Sequence, residues 1–185
     1  ITPFRAIMND MYAKDISKKI KSVKRDKQRK GQFIGGKPMY GYKMHPTEKN
    51  KIVIDEEAAP IVRRIFAMAL EGVSCRQIAV RLNEEHIPTP AAFAGLTLGI
   101  KGAYSGLWSS ERISEMLRNE TYIGHMVQGR TVKVSYKSKK CLMQAPENWV
   151  VVKNTHEPLV DEETFQKVQL MVNSRKHTRS RTYDF

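Results

Sequence analysis

Apolar residues recur every three or four positions along the first two dozen residues of the chain. On a helix they would form one stripe, made of Phe4, Ile7, Met8, Met11, Tyr12, Ile16, Ile20 and Val23. The stripe fades after Val23, whereas lysines and arginines continue as far as Lys30. Because like charges at helical spacing repel each other, the pattern predicts a long helix with two kinds of partner. Its first part needs an apolar surface, and its last turns need an anionic one.

A second region of helical periodicity, in the middle of the chain, predicts two helices joined by a short glycine turn. We expect Asp55 to cap the first of them, with the two glutamates that follow it in the first turn, and Gly72 to end it. Ser74 and Gln77 have the spacing of a capping box at the start of the second helix. Helix, glycine turn and helix form the outline of a helix-turn-helix.

Two more helices are predicted further along the chain. Residues 86–108 are rich in proline and glycine and indicate a loop. A helix then follows Trp108, with Ser109 as its cap and apolar residues at helical spacing. The last helix is expected over residues 161–177, with Asp161 as its cap.

Short strands complete the predicted fold. Residues 40–45 and 51–54 are expected to form a hairpin, and residues 121–130 and 131–140 a second hairpin around Gly129, with 148–153 as a further strand. The fold class is therefore α+β. It has a long N-terminal helix, a helix-turn-helix-like helical domain with small β-hairpins, and C-terminal strands followed by a helix.

The charge of the chain narrows the class of partner. Its 185 residues contain 32 lysines and arginines against 19 acidic residues, a formal net charge of +13. The basic residues are clustered rather than spread, which favours a polyanion, most commonly nucleic acid. No apolar run is long enough to span a membrane.

Metal and catalytic signals are weak. Cys75 and Cys141 stand far apart without CxxC spacing, which argues against a zinc site or a disulfide framework. No nucleophile is paired with a histidine. We expect the histidines to be surface or loop residues: His45, His86, His125, His156 and His177.

Six segments, in order along nearly the whole chain, resemble the large serine recombinases, which include phage serine integrases and conjugative-transposon recombinases of the resolvase/invertase group. They read MNDMYAKDISKKIK, GKPMYGY, APIVRRIF, GVSCRQIAVRLN, WSSERISEMLRNETYIG and HEPLVDEETFQKVQ. The resemblance implies that residues 1–30 are the end of a long linker helix that leaves a catalytic domain, and that 31–130 are the recombinase DNA-binding domain. Residues 131–185 would be strands and a helix that lead to a zinc-ribbon domain.

The same resemblance implies that the chain is a fragment without catalytic residues. The nucleophilic serine of the family belongs to the upstream domain, so the parent is a recombinase and this chain is expected to be inactive alone. Zinc is expected only in the downstream domain, and no cofactor or small-molecule substrate is expected here. The parent would act as a dimer or tetramer on double-stranded DNA, at attachment or transposon-end sites, in the bacterial cytoplasm and at the nucleoid.

Two groups of DNA contacts are expected at the N-terminal side. The basic end of the long helix would contact phosphates, which gives affinity and register but little sequence choice, through Lys18, Lys19, Lys21, Lys24, Arg25, Lys27, Arg29 and Lys30. A flexible glycine-rich linker would then lie in the minor groove through Gly35, Gly36, Lys37 and Pro38. Tyr40 and Tyr42 could touch sugar edges, although packing in a strand is favoured.

Base reading is expected from a helix in the major groove. Two helices compete for this role. The candidates on the helix after Ser74 are Arg76, Gln77 and Arg81. Those on the helix after Trp108 are Ser110, Glu111, Arg112, Ser114, Glu115 and Arg118. The later helix is favoured, because the last helix of a three-helix reader usually enters the groove, and Trp108 itself is expected to be a core residue.

Three functions remain open at this point. The first is the DNA-binding region of a site-specific serine recombinase that recognises attachment-site DNA for integration, excision or transposition. The second is a stand-alone helix-turn-helix transcriptional regulator. The third is a basic RNA-binding or ribosome-associated protein. The sequence specifies neither the DNA site, the host element nor the direction of recombination.

Overall fold

The computed structural model describes residues 3–95 and 106–174. Its helices are α1 (Pro3–Arg29), α2 (Ala59–Leu70), α3 (Cys75–Glu84), α4 (Pro90–Phe93), α5 (Ser110–Leu117) and α6 (Glu162–Ser174). Its strands are β1 (Tyr42–Met44), β2 (Ile52–Ile54), β3 (Met126–Gln128), β4 (Thr131–Lys133), β5 (Cys141–Met143) and β6 (Val150–Val152). The α+β class and the long N-terminal helix are confirmed. Part of the predicted loop (96–105), the end of the predicted last helix (175–177) and with it His177 lie outside the described residues.

The turn between α2 and α3 follows the prediction closely. Gly72 has a φ of +86°, and its N–H donates to the Ala69 carbonyl at 3.1 Å, while the Val73 N–H donates to the Met68 carbonyl at 3.0 Å. These two bonds are the Schellman arrangement that ends a helix at a left-handed glycine. Ser74 then caps α3 through the complete capping box with Gln77.

The predicted start of α2 is wrong. Asp55 does not cap the helix through its side chain. Its carbonyl accepts from the N–H groups of Ala58 and Ala59 at 3.1 and 2.8 Å, in a turn that contains Glu56 and Glu57. The helix begins at Ala59 instead, with Pro60 in its first turn, where a missing N–H costs no hydrogen bond.

The loop before α5 is fastened to the end of α3 by one amide. The Asn83 Nδ2 group donates to the Trp108 carbonyl at 3.0 Å, and the Trp108 N–H donates to Asn83 Oδ1 at 2.8 Å. The indole N–H of Trp108 reaches the Ile87 carbonyl at 2.9 Å. Trp108 is buried, which confirms it as a core residue, and α5 packs directly against α3 as a result.

The strands pair in three separate antiparallel ladders, and only the first is the predicted one. β1 pairs with β2. The predicted hairpin around Gly129 is wrong, because β3 pairs with β6 and β4 pairs with β5. Gln144 closes the base of the β4–β5 ladder: its side chain donates to the Gly129 carbonyl at 2.7 Å and its N–H to the Arg130 carbonyl at 2.8 Å. The valine strand β6 therefore takes the place that a local hairpin would have filled.

One hydrophobic core joins the elements after α1. The buried rings of Tyr40, Tyr42, Phe66, Tyr122 and Phe165 meet in it, together with apolar residues of α2, α3, α5 and α6. Tyr40 and Tyr42 are thus packing residues. Side chains from both sides of residue 130, the predicted boundary between the DNA-binding domain and the C-terminal strands, contribute to the same core.

Candidate nucleic-acid interface

Helix α1 carries most of the predicted phosphate contacts on an exposed rod. Its 27 residues extend over roughly 40 Å at the standard rise. Seven of the eight basic candidates lie in its second half and Lys30 directly follows it; all are exposed except Lys27, which is half-buried. Lys19 is paired with Asp15 at 3.0 Å. This arrangement presents a high density of positive charge to solvent on several sides of the helix.

The C-terminal end of α1 packs against the rest of the molecule. Gln28 is buried there, and Gly31 (φ +69°) passes so close to Thr155 that a Cβ on it would lie 2.5 Å from the threonine methyl group. A side chain at position 31 would therefore force α1 away from β6. The close contact between Gly31 and Thr155 therefore helps to set the direction in which α1 leaves the core.

The apolar stripe at the start of α1 is exposed to solvent. Met11 and Tyr12, for example, expose 66% and 70% of their side chains, and Phe4, Ile7 and Ile20 are similarly open. The predicted apolar partner of this stripe is therefore not provided by the described part of the chain.

The glycine-rich segment after α1 is less free than its composition indicates. Its first part is fastened on two sides. Gln128 donates to the Gln32 carbonyl at 2.8 Å and accepts from the Ile34 N–H at 3.2 Å. Asn50 donates its side-chain amide to the Phe33 carbonyl at 2.9 Å and accepts from the Phe33 N–H, through its own carbonyl, at 2.7 Å.

The next residues are the accessible part of this segment. Gly35, Gly36 and Lys37 are exposed and Pro38 is half-buried. Lys37 reaches the Ala94 carbonyl at 3.4 Å. A Cβ on Gly35 would clash with the tip of the Phe33 ring, so a side chain there would require the ring to move. The four predicted minor-groove residues thus form a short, braced surface rather than a free tether.

The base-reading candidates lie on the outer faces of two packed helices. On α3, Arg76, Gln77 and Arg81 are exposed. Gln77 is already engaged, because its Oε1 accepts from the Ser74 N–H at 3.1 Å and from the Ser74 hydroxyl at 2.8 Å. The two arginines are therefore the better candidates on this helix.

On α5 the outer face is mixed in charge. Arg112, Glu115 and Arg118 are exposed, while Ser110 and Ser114 are half-buried. Arg112 is paired with Glu115 at 3.2 Å. The pKa of Glu111 is lowered by a hydrogen bond from its own backbone N–H and then by bonds from the side chains of Ser110 and Ser109; the Ser110 hydroxyl donates to Glu111 at 3.0 Å. The face can both donate to and accept from base edges.

Two of the histidines, His125 and His156, lie in loops, as predicted, but they are near the core rather than on the surface. His125 is buried. His156 is half-buried, with its Nε2 at 2.8 Å from the Thr121 carbonyl and its Nδ1 at 2.8 Å from the Thr155 hydroxyl, and burial lowers its pKa. These contacts join the segment after β6 to the core, so the histidines serve packing.

Sequence reasoning missed the amides that hold the interface together, namely Asn50, Asn83 and Gln128. Asn50 alone had a signal, since asparagine at the end of a turn favours the left-handed conformation that it adopts here, with a φ of +64°. Within residues 3–95 and 106–174, no helix is long and apolar enough to cross a membrane, and no group of three or more acidic, histidine or cysteine side chains could hold a metal ion.

Comparison with known proteins identifies similar chains. The family model described as Recombinase matches residues 56–175, more than half of the sequence. A crystal structure of an LSR–DNA complex is 23% identical with a TM-score of 0.53, over 84% of this chain and 38% of that one. A structure concerning the sequence requirements of the Listeria innocua prophage attP site is 25% identical with a TM-score of 0.51, over 84% of this chain and 51% of that one. This chain thus spans at most about half the length of these two.

Proposed function

The chain belongs to the Recombinase family, and from this premise we propose that it is the DNA-binding region of a site-specific serine recombinase that recognises attachment-site DNA. The observation that supports the proposal most is the order of three features along the chain, from α1 into the core. An exposed basic rod leads through a braced glycine segment to a helical domain with two outward polar faces. The two solved structures of similar fold concern an LSR–DNA complex and an attP site, which supports DNA as the partner.

In this proposal the basic end of α1 contacts the phosphate backbone. Lysines and arginines that neutralise phosphates release counterions, so affinity falls steeply with salt while sequence preference changes little. The exposed Gly35–Lys37 stretch follows the braced residues 32–34 after α1 and is assigned to the minor groove, where the absence of side chains at Gly35 and Gly36 lets the backbone approach.

We assign base reading to α5 in the major groove. Its outer face offers the arginines Arg112 and Arg118 as donors to guanine and Glu115 as an acceptor from cytosine. The pair of Arg112 with Glu115 would open or turn toward the bases on binding. The α3 face is the alternative, with Arg76 and Arg81, since Gln77 is held by the cap of its own helix.

The exposed apolar stripe of α1 is assigned to contacts with another copy of the parent protein. A row of eight apolar side chains on one helix (Phe4 to Val23), most of them more than half exposed, is costly to leave in water. Dimers or tetramers of the parent on DNA would cover it. Strand cleavage is assigned to a catalytic domain outside this chain, so we expect no cleavage by this chain alone.

The test of the proposal has two arms. The 185-residue chain should enrich a defined sequence from a library of random duplexes, and failure to enrich any sequence contradicts site recognition. Replacing Lys24, Arg25 and Arg29 together by alanine should weaken binding to all duplexes alike. It should also reduce the slope of log affinity against log salt by about 0.9 for each phosphate that the variant no longer neutralises. A wild-type slope in the triple variant would remove this part of α1 from the backbone contacts.

A further inference from the structure

The hairpin formed by β4 and β5 lies outside the hydrophobic core, and its tip contacts α1. Its tip is clasped to the helix at one carboxylate: the Tyr136 hydroxyl and the Lys137 ammonium group each lie 2.5 Å from Asp10 Oδ1. These bonds lower the pKa of Asp10, so the clasp is ionised over the whole physiological range. The hairpin therefore meets α1 well before the basic end that the sequence singled out.

Both ends of the hairpin are braced. At the base, Arg130 stacks over the Trp149 ring at 4.9 Å, and the Trp149 indole donates to the Gln144 carbonyl at 3.0 Å. At the tip, the Lys137 N–H donates to the Ser135 hydroxyl at 3.3 Å and the Lys140 N–H to the Ser138 hydroxyl at 3.1 Å. A loop folded in this way has a defined shape next to the helix.

A groove runs between the hairpin tip and α1. Its walls carry four ammonium groups against a single carboxylate, together with three hydroxyl groups, from Asp10, Lys14, Ser17, Lys18, Lys21, Ser135, Tyr136 and Lys137, and Val134 adds an apolar contact. Several like charges within one groove repel one another at distances below the screening length of about 10 Å. A bound polyanion would relieve this repulsion.

The spacing of the groove suits a DNA strand. The helical residues from Asp10 to Lys21 extend over about 16 Å of the α1 axis. Successive phosphates of one strand advance by about 3.4 Å along the duplex axis and lie further apart along the winding backbone. The groove is thus long enough to contact more than one phosphate. The hydroxyl groups of Ser17 and Ser135 add neutral donors of the kind that protein–DNA interfaces use on phosphate oxygens, whereas the Tyr136 hydroxyl donates to Asp10.

We propose that the β4–β5 hairpin and the facing side of α1 form a second phosphate-binding groove, in which Lys14, Lys137 and their neighbours hold the DNA backbone. The inference rests on the proposed function for the identity of the polyanion. The proposed groove adds the hairpin to the DNA-contacting surface. It also extends the phosphate contacts of α1 from Lys18 back to Lys14. Asp10 acts as a positioning residue, because it fixes the hairpin tip and contacts no phosphate itself.

The experiment measures binding of the full chain to a labelled mixed-sequence duplex at several salt concentrations. Lys14→Ala and Lys137→Ala should each reduce the salt slope by about 0.9, and the double variant by about twice as much. The matched control is Lys167→Ala, which removes an exposed lysine of α6 that is likewise paired with a carboxylate, Glu163 at 2.7 Å. It should keep the wild-type slope.

A second measurement locates the contact. On a duplex enriched by the wild-type chain, ethylation of a few neighbouring phosphates should block binding, and this interference should disappear for Lys137→Ala while the rest of the pattern persists. The proposed groove would be wrong if Lys14→Ala and Lys137→Ala both kept the salt slope and the ethylation-interference pattern of the wild-type chain. This holds even where the wild-type chain enriches a sequence. Failure of the wild-type chain to enrich any sequence would instead contradict the proposed site recognition. In that case the salt slopes measured on the mixed-sequence duplex would still show whether the groove binds phosphates.

Discussion

Helices α1 and α2 share one sequence pattern and have opposite surroundings. Both place apolar residues three and four positions apart. In α2 the stripe is covered: Val62, Ile65 and Phe66 are at most 1% exposed. In α1 the corresponding side chains are open to water, and Met11 exposes 66%. Periodicity therefore identifies the face of a helix that needs a partner, but it does not say whether the same chain supplies that partner.

The largest expected effect contrasts these two stripes directly. The Phe66 ring packs at 5.6 Å from the Tyr122 ring and 6.1 Å from the Phe165 ring. Phe66→Ala should lower the free energy of unfolding by about 3–5 kcal/mol, since it leaves a cavity in the core. Met11→Ala, at a concentration where the chain is monomeric, should change it by less than about 0.5 kcal/mol. Urea unfolding followed by circular dichroism measures both.

Comparable decreases in the two variants would contradict the contrast. They would mean that the stripe of α1 is covered within a single chain. Sedimentation of the wild-type chain at rising concentration provides the complementary observation, because burial of the stripe between copies would appear there as association.

A smaller effect concerns the outward faces of the two regions. Arg112 on α5 and Arg25 on α1 are both exposed arginines, but we assign the first to bases and the second to phosphates. Arg112→Ala should lower affinity for the enriched sequence by about 1–3 kcal/mol relative to a duplex substituted at one base pair. Arg25→Ala should weaken binding to both duplexes equally. Selection from a random library with each variant gives the comparison.

Equally weakened binding to all sequences for Arg112→Ala would move Arg112 to the backbone contacts. A reduced sequence preference for Arg81→Ala instead would transfer base reading to α3. Either result leaves the packing of α3 against α5 unchanged, because both arginines are on exposed faces.

The smallest effect at neutral pH lies within the core. The Tyr40 hydroxyl is buried and finds no hydrogen-bond partner among the described residues, and burial raises the pKa of Tyr40 to about 12. The folded state thus favours the neutral phenol. The contribution of the neutral Tyr40 phenol to the free energy of unfolding is fully present below the ordinary tyrosine pKa of about 10. It is lost as the pH rises from there toward 12.

Tyr40→Phe should therefore leave the free energy of unfolding at pH 7 within about 0.5 kcal/mol of wild type. Above pH 10 its free energy of unfolding should fall less steeply than that of the wild-type chain. Tyr42 is present in both the wild-type chain and the variant, so its contribution cancels in the difference. The charge of ionised Tyr40 also raises the pKa of Tyr122, so the difference includes this coupling. Parallel curves from pH 7 to 12 would show that ionisation of Tyr40 does not oppose folding.

Local signals were sufficient wherever neighbouring residues decide the structure. The cap of α3 by Ser74 and Gln77, the turn at Gly72 and the caps of α5 and α6 by Ser109 and Asp161 were all predicted and are present. Each depends on a hydrogen bond or a dihedral angle within about four residues. Such features are encoded at short range.

The start of α2 was misplaced locally, because a turn at Asp55 precedes the helix. The other errors arise where a distant segment competes with a local signal. Two residues between β3 and β4 with a glycine favour a hairpin, but β6, more than twenty residues later, pairs with β3 instead. The amides of Gln128, Asn50 and Asn83 were missed for the same reason, since their partners lie 94–96, 17 and 25 positions away. Side-chain type alone does not reveal such contacts.

By itself, the sequence determined the five longer helices, the caps of α3, α5 and α6, the basic end of α1 and the family that their motifs resemble. These follow from periodicity, turn chemistry and charge, which act over a few residues. Only the tertiary structure decided that the glycine segment is braced, that β3 pairs with β6, and that the β4–β5 hairpin lies against Asp10 on α1. The physical reason is that these arrangements depend on which surfaces meet when the core closes, and no short stretch of chain contains that information.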